Sequence, residues 1–213
     1  MLALTLANEA LQLLPDRALF WPAQNILVVA DVNLGKLAPR RAGGAPANTQ
    51  QADLARLSAL LAQTKAKRLL VLGDLFHIVP SQIEPLIADF HVFRGRHPSV
   101  KISVIRTDRE GDLQRFPTGW KMEWIVDALH QPPFVFQHKP VADARGYALG
   151  GQLQPCVALP GRGPSTRVPA FWFGASVGVL PGFSSAGGGQ VLRPKPGELC
   201  IAVTPAGLVK IAE

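Results

Sequence analysis

The chain has 213 residues, 47% hydrophobic and 17% charged, and its 22 basic against 15 acidic side chains leave a net charge of +7. That length suits one sizeable core and is short for two, so a single domain over residues 1–213 is expected, and the composition excludes disorder. The 20 glycines and 19 prolines, spread throughout, exclude a coiled coil, and the basic excess favours nucleic acid, other polyanions or anionic membrane surfaces as partners.

The N-terminal stretch Met1 to Leu14 is apolar but carries Glu9 and lacks the basic region and cleavage site of a signal peptide. No run approaches the roughly 18 apolar residues of a membrane span, so a soluble, cytoplasmic protein without membrane contact is expected. The β-branched runs Ile26 to Ala30 and Arg68 to Leu72 end at Asp31 and at Gly73-Asp74, and both predict buried parallel strands. Between them, Leu54, Leu57, Leu60 and Leu61 lie at helical spacing behind a possible Asn48 cap, which completes a β-α-β unit. Ser81 and Glu84 fit a capping box opening a helix to about Val92, and Lys101 to Ile105 predicts a third strand. The second half holds short strand-like runs at 134–137, 157–159, 170–173, 177–180 and 199–203, separated by Gly and Pro. Two facing sheets follow, one flanked by helices from the N-terminal half and one built mainly by the C-terminal half. Cys156 and Cys200 lack metal or redox spacing and are read as buried thiols. Trp120, Trp124, Trp172 and Phe171 are read as core or interface aromatics, not base-stacking residues.

Asp31 and Asp74 stand immediately after buried strands, where open α/β sheets bind ligands. Two carboxylates so placed either share a cation, are neutralised by a basic side chain, or merely cap the turns that follow.

These residues support a resemblance. Asp31-Val32-Asn33-Leu34-Gly35-Lys36, Gly73-Asp74-Leu75-Phe76-His77, His138-Lys139-Pro140, Gly151-Gln152-Leu153-Gln154-Pro155 and Phe171-Trp172-Phe173-Gly174 with Val177-Gly178-Val179-Leu180-Pro181 resemble the calcineurin-like metallophosphoesterase superfamily. More narrowly, the chain is similar to the PdeM-like ligase-associated DNA damage response endonucleases, over about Leu19 to Val203. The resemblance implies an α/β fold, the four-layer α-β-β-α sandwich. At its centre two metal ions bridge the scissile phosphate and activate a water. It also implies a setting in bacterial DNA repair beside a DNA ligase, a helicase and an exonuclease.

The family's metal ligands come from Asp-x-His, Gly-Asp, Gly-Asn-His-Asp, a lone His and Gly-His-x-His. Asp31, Asp74 and His138 are retained at these positions, whereas Asn33, Gln152 and Gln154 replace three imidazoles with amides. Arg106-Thr107-Asp108 aligns with Asn-His-Asp, so Arg106 stands at a ligand position and Thr107 at that of the catalytic His, beside Asp108. A guanidinium donates five N–H groups and cannot coordinate a cation. Arg106 is therefore expected to pair with Asp74 or Asp31, the alternative being that it points into solvent from its loop.

The cofactor expectation is none, or one weakly bound Mn or Zn held by Asp31 and Asp74 with Asn33 and Gln154. The other site, Asp74 and His138 with Gln152, would face Arg106. Lys36, Arg40 and Arg41 follow the first strand end, where the resemblance places basic residues at the mouth of the site; phosphate contact and an ordinary solvated loop are both open. His77 either orients the site or packs at its turn, and His91, His97 and His130 are read as exposed or structural. Three functions remain: a pseudo-phosphoesterase, an active phosphodiesterase with an altered site, and a phosphate- or nucleic-acid-binding module.

Overall fold

The structure, a computed structural model, describes residues 1–37, 49–77, 83–107, 116–159 and 166–212. The chain enters through three antiparallel strands, β1 (Leu2–Leu6), β2 (Glu9–Leu14) and β3 (Ala18–Trp21), and continues antiparallel into β4 (Ile26–Ala30). It then turns to parallel pairing through β5 (Arg68–Leu72), β6 (Lys101–Ile105) and β7 (Met122–Ile125), in a seven-stranded sheet of order β1 to β7. Helices α1 (Gln50–Thr64) and α2 (Ile83–Arg96) are the crossovers between the parallel strands.

The second sheet comprises β8 (Ala128–Gln131), β9 (Phe134–Gln137), β10 (Tyr147–Gly150), β12 (Thr166–Phe173), β13 (Val177–Val179), β14 (Leu199–Thr204) and β15 (Gly207–Ala212). Its order is β15-β14-β12-β13-β10-β9-β8, with β11 (Cys156–Leu159) paired to the first half of β12. The fold is the expected mixed α/β sandwich of two facing sheets, with α1 and α2 packed on the outer face of the first; among the described residues no α-helix packs on the second. Among the described residues, no helix is long and apolar enough to cross a membrane.

Alternation along the central strands builds two cores at once. Val29, Val71 and Val104 face the helices and pack with Leu57, Leu61, Leu86 and Phe90. Their neighbours Val28, Leu70 and Ile105 face the second sheet and pack with Phe134, Phe136, Phe171 and Ile201. Being covered on both faces is why these strands read as continuous apolar runs. Each fully buried aliphatic or aromatic side chain is worth roughly 1.5–3 kcal/mol, so both layers hold the strand ends rigidly. Trp21 joins the sheets by meeting the Phe134 ring edge to face at 5.0 Å, while its indole N–H donates to Glu9 at 2.8 Å.

The strand and helix positions expected at 26–30, 68–72 and 101–105 match, and α1 and α2 occupy the expected crossovers. Asn48 and the Ser81 end of the capping box lie outside the described residues; α1 begins at Gln50 and α2 runs on to Arg96, beyond Val92. The five short runs of the second half are strands, with β12 longer than expected at Thr166–Phe173. Cys156 and Cys200 are buried and unbridged, and Trp120 and Phe171 are core residues.

Candidate functional site

Beyond their paired segments, β4 and β5 continue side by side as loops. The Asn33 amide donates to the Asp74 carbonyl at 2.9 Å, Leu34 to Leu75 at 2.9 Å, and His77 back to Leu34 at 2.7 Å. This stitching carries Asp31 and Asp74 to the carboxyl end of the sheet, where both are nearly inaccessible, at 1% and 6% exposed. The second sheet supplies the opposite wall. Gly151 and Gln152 both donate to the His138 carbonyl at 3.0 Å, which folds the 151–154 turn over the strand ends. A Cβ on Gly151 would lie 2.5 Å from that of Ala30, so only glycine allows the sheets to close here.

The central contacts converge on Asp31. His138 places Nε2 at 3.0 Å from Oδ1, and the Gln154 side-chain amide donates to Oδ2 at 2.9 Å. Asn33 donates its side-chain N–H to the Asp31 carbonyl at 3.1 Å. Thr107 donates its hydroxyl to Oδ1 of Asp74. Asp31, Asn33 and Gln154 hold left-handed backbone, with φ of 46°, 51° and 45°. Asp and Asn tolerate this region better than most residues, and such conformations cluster at functional sites. A pocket of about 570 Å³ opens above these groups.

Of the expected site residues, Asp31, Asp74, Arg106, Thr107, His138, Gln152 and Gln154 all line that pocket. Asn33 lies beneath it, 7% exposed. One expectation is corrected. Arg106 is exposed at the pocket wall and, among the described residues, forms no ion pair with Asp31 or Asp74. The physical reason is that both Asp31 oxygens are already engaged, and Asp74 receives the hydroxyl of the residue next to Arg106. Asp108, Arg40 and Arg41 lie outside the described residues. Lys36 sits at the rim of a neighbouring cavity, its Nζ donating to the Gly187 carbonyl at 3.3 Å. His77 is exposed and away from the pocket lining, His97 meets the Ser58 hydroxyl at 2.9 Å, and His130 meets the Arg145 carbonyl at 3.1 Å.

Asp127 and Lys139 also line the pocket and were not singled out from sequence. Lys139 follows His138 directly, so the motif itself pointed to it; Asp127 stands in the turn between β7 and β8, with nothing local to mark it. A second group was missed because its members come from distant parts of the chain. Phe183 and Ser184 donate their amides to the carbonyls of Ala30 and Asp31, at 2.7 and 3.3 Å, and so seat the 183–189 loop on the end of β4. Asp53 of α1, 1% exposed, fixes that loop by accepting from the Ser185 amide and hydroxyl, and pairs with Arg56 at 2.9 Å. Arg56 lies 4.0 Å over the Phe183 ring. Next to it, Arg17 donates to the carbonyls of Gly182 and Ser184 at 3.3 and 2.8 Å. Burial pushes both guanidiniums below their ordinary pKa, and Arg56 adds to the effect on Arg17.

No protein-family model matches the chain, and no curated protein does either. Among solved structures, the crystal structure of the Pseudomonas putida nuclease MPE superposes with a TM-score of 0.85 at 28% identity, covering 99% of each chain. Its likeness to that nuclease runs the length of the chain, in fold and in sequence, and the protein is accordingly nuclease- or phosphoesterase-like.

Proposed function

We propose that this protein is a nuclease-like, phosphodiester-binding pseudoenzyme in which protein donors have taken the place of catalytic ions around the central aspartates. The observation that carries the reading is that both carboxylate oxygens of Asp31 are engaged by side chains, His138 on one and Gln154 on the other. Asp74 receives the Thr107 hydroxyl in the same manner. The donor set fits a dinuclear centre poorly. Amide oxygens at Asn33, Gln152 and Gln154 are weak neutral ligands for Mn or Zn, and Arg106 at the pocket wall repels any cation nearby. Among the described residues, no group of three or more His, Cys, Asp or Glu side chains is arranged to hold an ion.

The protein's own residues then do the following. Arg106 and Lys139 supply positive charge at the pocket wall for a phosphodiester, opposed by Asp31, Asp74 and Asp127. Thr107 carries an aliphatic hydroxyl, far too weak an acid to replace an imidazolium and already donating to Asp74, so the general acid help typically worth about 10²–10⁴-fold is lost at that position. The similarity to a nuclease favours a nucleic acid as the ligand. Lys36, Arg40 and Arg41 remain candidates for backbone phosphate contact, Asp108 for a residual catalytic role, and a DNA ligase or helicase for a partner through the family resemblance.

The test is hydrolysis of a generic aryl phosphodiester and of single-stranded DNA with excess Mn or Zn, beside DNA affinity by fluorescence anisotropy. DNA binding without metal-stimulated turnover is the expected result. Turnover that vanishes in Asp74→Asn would instead establish an active phosphodiesterase with an altered site, and absence of DNA binding would remove nucleic acid as the ligand.

A further inference from the structure

We propose that the cavity beside the central pocket, walled by Arg17, Arg167 and the Gly187–Gly189 loop, is a second anion subsite that takes a neighbouring phosphate of a nucleic-acid strand. This rests on the nuclease-like reading above and adds a substrate class to it: a polynucleotide carrying at least two phosphodiesters. The cavity has a volume of about 310 Å³ and shares Gln154 with the central pocket, so the two are contiguous.

Its electrostatics differ sharply from those of the centre. Among the described residues two guanidiniums line it and no carboxylate does, whereas three aspartates, Asp31, Asp74 and Asp127, line the central pocket. Arg17 is the informative cation. It is half-buried, held in place by the carbonyls of Gly182 and Ser184, and among the described residues it has no carboxylate in ion-pair contact. Its neighbour Arg56 already occupies Asp53. Asp53 and Asp16 act on Arg17 only from beyond ion-pair distance, and a guanidinium half-withdrawn from water without a contacting carboxylate is suited to an anion in the cavity it lines. Lys36 adds a third cation at the rim through its contact with the Gly187 carbonyl.

The glycine loop shapes the other wall. Gly187, Gly188 and Gly189 all have positive φ, of 77°, 123° and 120°, and among the described residues none of their amides donates to a protein group. A Cβ on Gly189 would stand 2.2 Å from the Gln154 carbonyl oxygen and 2.7 Å from Cys156 Sγ, so only glycine lets the loop lie this close to the 154–156 segment that forms another wall of the cavity. Backbone bare of side chains with unclaimed N–H groups beside two guanidiniums is suited to an oxyanion.

Two measurements on the full chain test this. In amide NMR spectra, titration with inorganic phosphate is expected to shift Gly187, Gly188 and Gly189 saturably, and Arg167→Ala, at an exposed strand position, to weaken that response at least fivefold. In anisotropy with a labelled hexathymidylate, Arg167→Ala is expected to raise Kd about 5- to 20-fold and to lower the salt slope by about 0.7, the share of one phosphate on a single strand. Arg167→Glu should exceed both effects. Glycine amides that ignore phosphate, or an oligonucleotide Kd and slope unchanged by Arg167→Ala, would overturn the proposal. Phosphate binding in the cavity by a protein with no affinity for the oligonucleotide would keep the anion subsite, overturn its assignment to a strand, and count against the nuclease-like reading.

Discussion

Nε2 of His138 lies 3.0 Å from Oδ1 of Asp31, joining the carboxyl end of one sheet to the loop after β9 in the other. With Gln154 on the second oxygen, that contact satisfies a carboxylate only 1% exposed. Asp31→Ala strands both donors and leaves a non-Gly, non-Asx residue at φ 46°. Each lost charge-assisted hydrogen bond is worth about 1.5–3 kcal/mol, so a loss of at least about 2 kcal/mol is expected in urea unfolding. Asp31→Asn, which keeps an acceptor oxygen and tolerates the backbone, should lose less.

Gly73→Ala probes the same junction by steric means. The added Cβ would lie 2.1 Å from Cδ2 of His138, at a φ of 90° that L side chains rarely adopt. Strain at such a position typically costs about 1–3 kcal/mol before any clash is counted. A clear fall in Tm is expected, together with displacement of the His138 ring resonances in NMR. A variant with wild-type stability and an unmoved imidazole would contradict the packing described.

What the sequence made legible follows from where information is local. Strands β4, β5 and β6 were read to the residue because both of their faces are buried and each ends abruptly at a polar residue. The N-terminal strands β1 to β3 were not: Leu2, Leu4 and Leu6 alternate in β1, but the stretch is short and broadly apolar, and its pairing is decided by the sheet it joins. Asp31, Asp74, Thr107, His138, Gln152 and Gln154 were found as one set through motif order. Arg17 was invisible because nothing local marks a cation whose partner carbonyls lie 165 and 167 residues away, and Arg167 because the cavity it lines is assembled from distant segments. The proposed role of Arg106 failed on geometry: charge complementarity predicted an ion pair that hydrogen bonds from His138, Gln154 and Thr107 had already pre-empted.

At the far end of the sheet, Glu123 accepts from the Ser103 hydroxyl at 2.6 Å and from Arg68 at 2.8 Å, with Lys101 at 3.1 Å. The Ser103 hydrogen bond, then the contacts with Lys101 and Arg68, hold its pKa below the usual carboxylate value against an opposing effect of burial. A depressed folded-state pKa means the contribution to stability is complete above the unfolded value near pH 4.5 and is lost as pH falls through the folded one. The stability gap between wild type and Glu123→Gln is therefore expected to be constant from pH 7 to about 5 and to shrink at lower pH. Solvent screening keeps the gap small, because the side chain is 41% exposed. A gap that widens on acidification would contradict this network.

The proposed exchange of ions for protein donors at Asp31 and Asp74 is tested most directly by counting metal. The purified protein would be equilibrated with excess Mn or Zn, desalted, and assayed by elemental analysis and by calorimetric titration. At most one weakly held ion per chain is expected, and Asn33→His, Arg106→Asn, Thr107→His, Gln152→His and Gln154→His combined should raise that figure. Two tightly bound ions in the unaltered protein, lost together in Asp74→Asn, would contradict the account.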